Sequence, residues 1–352
     1  MNDTHCGMDR RGFLKTSIGA AATGVAVLGT GTAYAAKPES KTIALTGKIP
    51  ERPFGKTGHT LPVLGHGGSA MVDSWATAYG VTLEPQEQRV AMVRRAYDLG
   101  VRYFDTARVY SESESIMGKA LKDVRANVYL ATKMAFPTPG AVRGSVEKSL
   151  SELQTDYVDC MQIHSPAIER VGFEGGMKLY DELVKLKDEG MIRFIGVTTH
   201  VAFETVHKMI STGAFDQVLL ARGYIRKGMD MMLSNPNMEW ANLCVAKAHE
   251  LNMGIVAMKV MGLNILGRGG HNVVAAFDEE KRKQLPGAAI RWALDDSRLS
   301  ILNIGASVPE DTELNAKIMQ GDLTFTQADA TLLAEYAEQV YKSDYVKALQ
   351  VV

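Results

Sequence analysis

The stretch VRYFDTARVYSESE, residues 101–114, places two ionisable side chains directly after a short, mostly apolar run. The run at residues 101–104 is rich in aromatic and β-branched residues, which is typical of a buried strand. Asp105 ends this run, and Tyr110 follows in the next segment. A carboxylate at the end of a buried strand is costly unless a partner compensates it. The stretch therefore predicts a strand whose carboxyl end contributes to a chemical site.

Eight apolar runs of this kind alternate along the chain with segments of helical periodicity. They begin at Leu61, Val101, Val128, Tyr157, Ile192, Gln217, Gly254 and Ile301. Parallel strands need crossover helices and are buried on both faces, and eight such units close into a barrel. The pattern predicts an α/β protein with a (β/α)8 TIM barrel, preceded by a hairpin and followed by an extra C-terminal helix. An open doubly wound sheet is the alternative, but GHGGSA at Gly65 does not fit GxGxxG.

Residues 1–35 have the composition of an export signal. Arg10 and Arg11 precede a weakly apolar stretch diluted by Gly and Thr, and the small residues Ala33 and Ala35 flank Tyr34 near its end. This arrangement resembles a twin-arginine (Tat) signal, which implies passage through the twin-arginine translocase to the bacterial periplasm. An uncleaved membrane anchor is the alternative. We expect a signal at 1–35, a spacer and hairpin at 36–60, and the barrel with its C-terminal helix at 61–352.

Composition favours a small-molecule partner. The chain has 352 residues, of which 46% are hydrophobic and 22% charged, and its formal net charge is −1. Such a charge offers no long-range attraction for nucleic acid or an anionic membrane. There are three cysteines and no CxxC spacing, so no metal site is predicted. Cys160 and Cys244 lie in apolar patterns, which favours buried free thiols, and a disulfide between them is the alternative.

Polar residues end several of the apolar runs, where barrel enzymes carry their chemistry. They are Asp105, Lys133, His164, Thr198, Thr199, His200, Gln217, Lys259 and Ser307. The phenol of Tyr110 needs a nearby cation to act as an acid near neutrality, and Lys133 is suited to this role. Asp105 would be the counter-ion of Lys133, and His164 would orient a substrate oxygen. The combination predicts a proton donor for a carbonyl that receives hydride, with a structural ion pair as the alternative.

Several of these motifs resemble the aldo-keto reductases. The resemblance rests on PFGKTGHTLPVLGHGG, VRYFDTARVY, VYLATKM, LQTDYVDCMQIHSP, RFIGVTTH and GASVPEDTELN, and it covers roughly residues 53–320. It implies a nicotinamide dinucleotide bound across the barrel mouth without a Rossmann unit. It also implies that Tyr110 is the acid and that Asp105, Lys133 and His164 complete a catalytic tetrad.

The same resemblance implies a set of cofactor-binding positions. They are Gly67, Gly68, Thr198, Thr199, Gln217, Met258, Lys259, Ser307 and Asn315. The family's usual GVSN is GVTT here, and Met258 and Lys259 stand near the position of its stacking aromatic residue. The basic residues that commonly hold a 2′-phosphate are replaced by Ala306, Ser307 and Asp311. NADP(H) is expected from the family, and NAD(H) remains open because a guanidinium or ammonium is missing.

The sequence says less about the substrate pocket than about the proton donor and the cofactor. Met71, Trp75 and Tyr79 follow the first barrel strand and are candidates for an apolar pocket. The methionines of one loop, Met229, Met231, Met232 and Met238, suit gap filling better than a copper site. The leading hypothesis is an exported, NAD(P)H-dependent reductase of an aldehyde or ketone. A cofactor-bound sensor or regulatory module with little turnover is the alternative, since an exported compartment has no obvious supply of reduced nicotinamide.

Overall fold

A computed structural model describes residues 47–72, 82–134, 138, 140–225 and 235–345. The predicted signal, Trp75, Tyr79, and the methionines Met229, Met231 and Met232 lie outside these residues. Within the described ranges, no helix combines the length and apolarity needed to cross a bilayer. Cys160 and Cys244 are both buried and free, so the disulfide alternative is not realised.

The main sheet is a closed barrel of eight parallel strands, as the alternating pattern predicts. Two short antiparallel strands, β1 (Glu51–Pro53) and β2 (Thr60–Pro62), form the hairpin that precedes it. The barrel strands are β3 (Leu64–Gly67), β4 (Tyr103–Asp105), β5 (Tyr129–Lys133), β6 (Val158–Ile163), β7 (Ile192–Thr199), β8 (Gln217–Ala221), β9 (Gly254–Met258) and β10 (Ile301–Gly305). Each strand pairs with its neighbour in sequence, and β10 closes the barrel by pairing with β3.

Helices surround the barrel and connect its strands. In the described part of the chain they are α1 (Gln86–Asp98), α2 (Ser113–Leu121), α3 (Val142–Leu153), α4 (Ser165–Asp188), α5 (Phe203–Ile210), α6 (Asn235–Glu250), α7 (Gly270–Val273), α8 (Glu279–Asp295), α9 (Pro309–Met319) and α10 (Gln327–Lys342). The helix α4 is interrupted at Gly172, whose φ of +65° suits a residue without a side chain. The extra C-terminal helix predicted from sequence is α10, and it packs against α8.

The hairpin covers the amino-terminal end of the barrel. Phe54 is fully buried, and its ring centroid lies 5.8 Å from that of Tyr103 and 5.2 Å from that of Tyr129. Tyr103 and Tyr129 are the first residues of β4 and β5. This aromatic cluster therefore fills the bottom of the barrel, and only the carboxyl ends of the strands remain available for a ligand. The hairpin extends to Pro62, slightly beyond the boundary expected at residue 60.

Candidate active site

A cleft lies at the carboxyl ends of the strands. Its volume is about 930 Å³, including space open to solvent. Seven of the residues predicted for the site line it: Gly67, Asp105, Tyr110, Lys133, Met258, Lys259 and Ser307. They come from β3, β4, β5, β9 and the segments that follow β4, β9 and β10. The barrel thus gathers residues that are far apart in the sequence, because the carboxyl ends of its parallel strands meet on one face.

Asp105 is the centre of a buried hydrogen-bond network at the floor of this cleft. The ammonium of Lys133 forms an ion pair with Asp105 Oδ1, and both side chains are almost completely buried. Two amides donate to the same carboxylate: Gln162 Nε2 to Oδ2 at 2.7 Å, and Asn303 Nδ2 to Oδ1 at 3.2 Å. These donors compensate the carboxylate for the water that it loses on burial.

Lys133 is held by two oxygen atoms. Besides its ion pair with Asp105, Nζ donates to the backbone carbonyl of Thr106 at 2.8 Å. Burial lowers the pKa of Lys133, but Asp105 and Tyr110 raise it, and the pKa lies above its ordinary value. Lys133 therefore keeps its positive charge at neutral pH beside the phenol.

Tyr110 lies on the loop after β4, and backbone hydrogen bonds to β5 fix the first part of this loop. The N–H of Thr106 donates to Ala131 O at 2.9 Å, and that of Arg108 donates to Lys133 O at 3.1 Å, so the loop continues the pairing of β4 with β5. Burial raises the pKa of Tyr110 above its usual value, whereas the charge of Lys133 lowers it. Lys133 thus opposes the effect of burial without reversing it, and Tyr110 remains protonated at neutral pH.

His164 follows the last residue of β6 and faces Tyr110. The two ring centroids are 5.9 Å apart, and the ring planes are nearly perpendicular. Burial, together with the charge of Lys133, lowers the pKa of His164 to about 3. The imidazole is consequently neutral, with one N–H donor and one acceptor nitrogen. Its Nδ1 is buried and has no hydrogen-bond partner among the described residues.

A second buried network supports the Tyr110 loop. Glu114, at the start of α2, accepts a hydrogen bond from Thr132 Oγ1 at 2.7 Å and forms an ion pair with Arg108. Thr106 Oγ1 donates to Ser113 Oγ at 2.8 Å, and Ser113 Oγ donates to Gly68 O at 3.1 Å. These contacts connect the loop on both sides of Tyr110 to β5, α2 and the segment after β3.

Gly67 and Gly68 have different surroundings. A Cβ at Gly67 would meet the amide of Asn303 at 3.3 Å, within the cleft. A Cβ at Gly68 would lie 2.3 Å from Ser113 Oγ and 3.0 Å from Met117 Cε, away from the cleft-lining residues. Gly67 thus keeps the cleft open, while Gly68 permits close packing of the chain on α2. Ser307 Oγ donates to Ala70 O at 3.1 Å and ties the end of β10 to the same segment.

Gln217 lies at the end of the barrel opposite to the one expected. The structure makes it the first residue of β8, where it is fully buried. Its amide donates to Tyr103 Oη and accepts from Tyr129 Oη, both at 3.1 Å. The position of β8 that lines the cleft is Leu219. Gln217 opens its strand instead of closing it, and its placement in the bottom cluster does not support contact with a carboxamide.

Other predicted positions also lie away from the cleft-lining residues. Thr198 is fully buried, and Thr199 Oγ1 accepts hydrogen bonds from the N–H groups of Val201 and Ala202. Asn315 is buried on α9. Met71 is fully buried in the hydrophobic core, so it packs the base of its loop instead of lining the cleft.

Sequence reasoning missed two polar residues at the site: Asn303, which lines the cleft, and Gln162, which supports Asp105. Two residues that the sequence did bring out, His200 at the end of its run and Asp311 in place of a basic residue, also line the cleft. Gln162 and Asn303 lie within strands that read as apolar runs, at positions where an amide is conspicuous. An amide side chain inside an apolar run is therefore the sequence feature that could have identified both residues. No group of three or more His, Cys, Asp or Glu side chains in the described ranges is arranged to hold a metal ion.

The chain is similar to several characterised proteins. It is 28% identical over 288 residues to L-galactose dehydrogenase of Arabidopsis thaliana, a match that covers 76% of this chain and 87% of that protein. It is 26% identical over 196 residues to aldo-keto reductase family 1 member C3 of Homo sapiens, covering 53% of this chain and 54% of that protein. The second match therefore spans about half of each chain.

Solved structures share the fold. A putative aldo-keto reductase from Pseudomonas aeruginosa matches 80% of this chain and 98% of its own, with a TM-score of 0.60 and 19% identity. An aldo/keto reductase from Klebsiella pneumoniae, solved with NADP and acetate, matches 84% and 96% with a TM-score of 0.60 and 19% identity. The model of the aldo/keto reductase family matches residues 64–338. The chain is an oxidoreductase and belongs to the aldo/keto reductase family.

Proposed function

We propose that this protein reduces an aldehyde or ketone to an alcohol with NAD(P)H and that Tyr110 is the general acid. The observation that carries the proposal is that Tyr110, Lys133 and Asp105 line one cleft while His164 faces the ring of Tyr110. A protonated phenol thus lies beside a buried cation and a neutral imidazole. Such a group is suited to an oxygen atom that gains negative charge as its carbon is reduced.

The cleft suits a nicotinamide dinucleotide. Gly67 and Gly305 present backbone without side chains to the cleft, which permits close approach of a flat ligand. The cleft also reaches Asp311 in the first turn of α9, where backbone N–H groups favour a phosphate. Gly67, Met258, Lys259 and Ser307 are the predicted cofactor residues that line it.

The bound cofactor supplies the hydride that the carbonyl carbon receives. Tyr110 donates its proton to the carbonyl oxygen as negative charge develops there. The positive charge of Lys133 stabilises the tyrosinate that results, and Asp105 keeps the ammonium in place. His164, neutral at working pH, orients the carbonyl oxygen through its N–H. Proton exchange with solvent then restores Tyr110.

The choice between NADP(H) and NAD(H) depends on the charged residues at the end of the cleft where the adenosine of the cofactor is expected. NADP(H) remains our prediction, in line with the family and with the NADP in the Klebsiella pneumoniae structure. Asp311 argues for NAD(H), since a carboxylate in the cleft repels a 2′-phosphate. Arg268 donates to Asp311 Oδ1 at 2.7 Å, and it is the guanidinium that a 2′-phosphate would recruit. Comparing the dissociation constants of NADPH and NADH decides between them.

We also propose export by the twin-arginine route, with the mature chain beginning near Ala36. The support is the sequence of residues 1–35. Expression of the full chain in a bacterium, followed by intact-mass analysis of the periplasmic fraction, tests this. A protein starting at or near Ala36 is expected, and its disappearance when Arg10 and Arg11 are both changed to Lys would assign the route.

The reductase proposal is tested by NADPH and NADH oxidation with a panel of aldehydes and ketones. Tyr110→Phe is the informative variant, because it removes the proton and keeps the ring. We expect a loss of kcat of about 10²-fold or more, with cofactor affinity nearly unchanged. If the cofactor binds and no carbonyl is reduced, the protein is better described as a cofactor-bound sensor. If Tyr110→Phe reduces carbonyls as fast as the parent, Tyr110 is not the general acid.

A further inference from the structure

One wall of the cleft is formed by the β9–α7 loop, residues 259–269. Five residues of this loop line the cleft: Lys259, Val260, Met261, Leu263 and Asn264. Lys259 and Leu263 have φ angles of +62° and +56°, in the left-handed region that residues with a side chain seldom occupy. Such conformations cost free energy and persist where the surrounding structure fixes them. The shape of this wall therefore depends on the contacts that hold the loop.

Tyr336 on α10 provides the central contact. Its side chain is fully buried, and its hydroxyl proton is shared between the carbonyl oxygen of Ile265, at 3.0 Å, and that of Gly270, at 3.3 Å. Arg282 on α8 donates to Tyr336 Oη through Nη1 at 3.4 Å, and to Val274 O through Nη2 at 2.6 Å. The loop is thus held at Ile265, and α7 is held at its first residue and just after its last.

The chain around Gly270 is fitted closely to the phenol. A Cβ at Gly270 would lie 2.5 Å from both Ile265 O and Tyr336 Oη. Glycine at this position permits the hydroxyl to lie between the two carbonyls. The ring of Phe277 packs on that of Tyr336, with 4.7 Å between the centroids and 70° between the planes. Tyr336 is therefore fixed by packing as well as by hydrogen bonds.

The helix that carries Tyr336 is attached to α8 by a two-pronged ion pair. Arg291 donates to both carboxylate oxygens of Asp329, so α10 is a firm support. The contact of the loop residue Arg268 with Asp311 is weaker support, because Arg268 is half exposed and exposed ion pairs contribute little to stability. The buried contact of Tyr336 is therefore the one that fixes the loop.

We propose that Tyr336 is a positioning residue for the cofactor, which holds the β9–α7 loop in the conformation that binds the dinucleotide. This rests on the proposed reductase function, since the ligand of the cleft is taken to be NAD(P)H. A loop that is already ordered binds without the cost of ordering it, and a loop that is ordered only part of the time binds more weakly in proportion. Cofactor affinity thus depends on α10, although no residue of that helix is among those lining the cleft.

Tyr180 provides a matched control. Its hydroxyl donates to the carbonyl oxygen of Ala214 at 3.1 Å, so it also joins a helix, α4, to a loop. Ala214 precedes β8 and lies at the amino-terminal end of the barrel, opposite the cleft. Tyr180→Phe and Tyr336→Phe each remove one hydroxyl that donates to the backbone and keep the ring. They differ in whether the released carbonyl belongs to the β9–α7 loop.

The main experiment compares the dissociation constants of NADPH and NADH, from fluorescence titration, with kcat for a carbonyl that the parent reduces. In Tyr336→Phe the dissociation constant of the preferred cofactor should rise about three- to tenfold, the range expected when a buried hydrogen bond supporting the binding conformation is lost. kcat should not fall, because Tyr110, Lys133 and Asp105 lie on β4, β5 and the loop after β4. Tyr180→Phe should lose similar stability in urea and keep the parent's dissociation constant.

Two further measurements test how Tyr336 acts. Hydrogen exchange of peptides covering residues 259–270, in the cofactor-free protein, should be faster in Tyr336→Phe and unchanged in Tyr180→Phe, because only the first change releases the loop. Gly270→Ala disturbs the same contact from the other side, since its methyl group would displace the phenol. It should likewise raise the dissociation constant without lowering kcat.

Two results would overturn this inference and leave the reductase proposal in place. If the parent reduces carbonyls but Tyr336→Phe keeps its dissociation constant and its exchange rates, Tyr336 serves stability alone. If kcat falls while the dissociation constant is unchanged, the loop acts on the chemistry and not on cofactor binding. If the folded parent binds neither NADPH nor NADH, the proposed function fails and this inference fails with it.

Discussion

Lys133 and Asp105 form an ion pair inside the barrel, with side chains that are only 2% and 3% exposed. Two charges at this depth have lost nearly all of their hydration, so each depends on the other and on the amides of Gln162 and Asn303. The pair lies directly beneath the cleft that contains Tyr110. It therefore contributes both to the stability of the barrel and to the electrostatics of the proposed acid.

Removing one partner of this ion pair, or both, should distinguish its contribution to stability from its contribution to catalysis. Lys133→Met leaves Asp105 buried without its cation, and we expect a loss of about 3–5 kcal/mol in the free energy of unfolding. The double variant Lys133→Met with Asp105→Asn removes both charges and should recover much of that loss. Both variants should reduce carbonyls at least about 10²-fold more slowly. Urea denaturation and steady-state kinetics check this, and a single variant as stable as the parent would contradict it.

Gly67 and Gly68 should respond differently to the same substitution. Gly68→Ala places a methyl group 2.3 Å from Ser113 Oγ, and we expect it to cost about 1–3 kcal/mol of unfolding free energy. Gly67→Ala has its tightest contact at 3.3 Å from the Asn303 amide, so it should cost less stability than Gly68→Ala and raise KM or the cofactor dissociation constant. Thermal denaturation and ligand titration measure the two effects. If Gly67→Ala changes neither KM nor the cofactor dissociation constant, Gly67 does not serve the cleft.

The contact of Arg268 with Asp311 should influence the choice of dinucleotide. Arg268 Nε donates to Asp311 Oδ1 at 2.7 Å, and Arg268 is half exposed. Asp311→Asn removes the negative charge from the cleft and breaks the shorter of the two ion pairs of Arg268, the other being with Glu310 at 3.8 Å. We expect the ratio of NADPH to NADH affinity to rise about tenfold, because a guanidinium with a weaker partner binds phosphate more strongly. Glu310→Gln removes the longer contact of Arg268, at 3.8 Å, and leaves the charge of Asp311 in the cleft, so it is the control and should raise this ratio less.

His66 should make stability sensitive to acid. It is almost fully buried on β3, its Nε2 has no partner in the described part of the chain, and burial lowers its pKa to about 4. Unfolding restores an ordinary pKa near 6.5. The unfolded state therefore binds a proton first as the pH falls, and stability present above pH 6.5 is lost towards pH 4.

Replacement of His66 tests this dependence. In His66→Phe, the free energy of unfolding should fall less steeply between pH 6.5 and 4 than in the parent, because the variant takes up as much as one proton fewer on unfolding. The midpoint of urea denaturation, followed against pH, measures this. The pKa of His164 is also lowered, to about 3, so its contribution to the loss of stability extends to a lower pH than that of His66. A variant with an unchanged pH dependence would mean that His66 binds its proton equally in both states.

Much of the fold was determined by the sequence alone. Alternating apolar runs and helical segments predicted the closed barrel, and strands confirm every one of the eight runs. The ends of these runs also identified Asp105, Lys133 and His164, which the barrel brings to one face together with Tyr110. This succeeded because strand polarity in a parallel barrel is uniform, so a residue that ends one strand lies near the residues that end its neighbours.

Other features were decided only by the tertiary structure. Gln217 was expected at the mouth and lies in the bottom cluster, since a short run does not reveal at which residue its strand starts. Asn303 contacts Asp105 across 198 positions of the sequence, and Arg268 meets Asp311 between two separate segments. Period-two alternation says which residues of a strand share a face. It does not say which face turns inward or which distant side chain meets it there, because the closure of the barrel determines both.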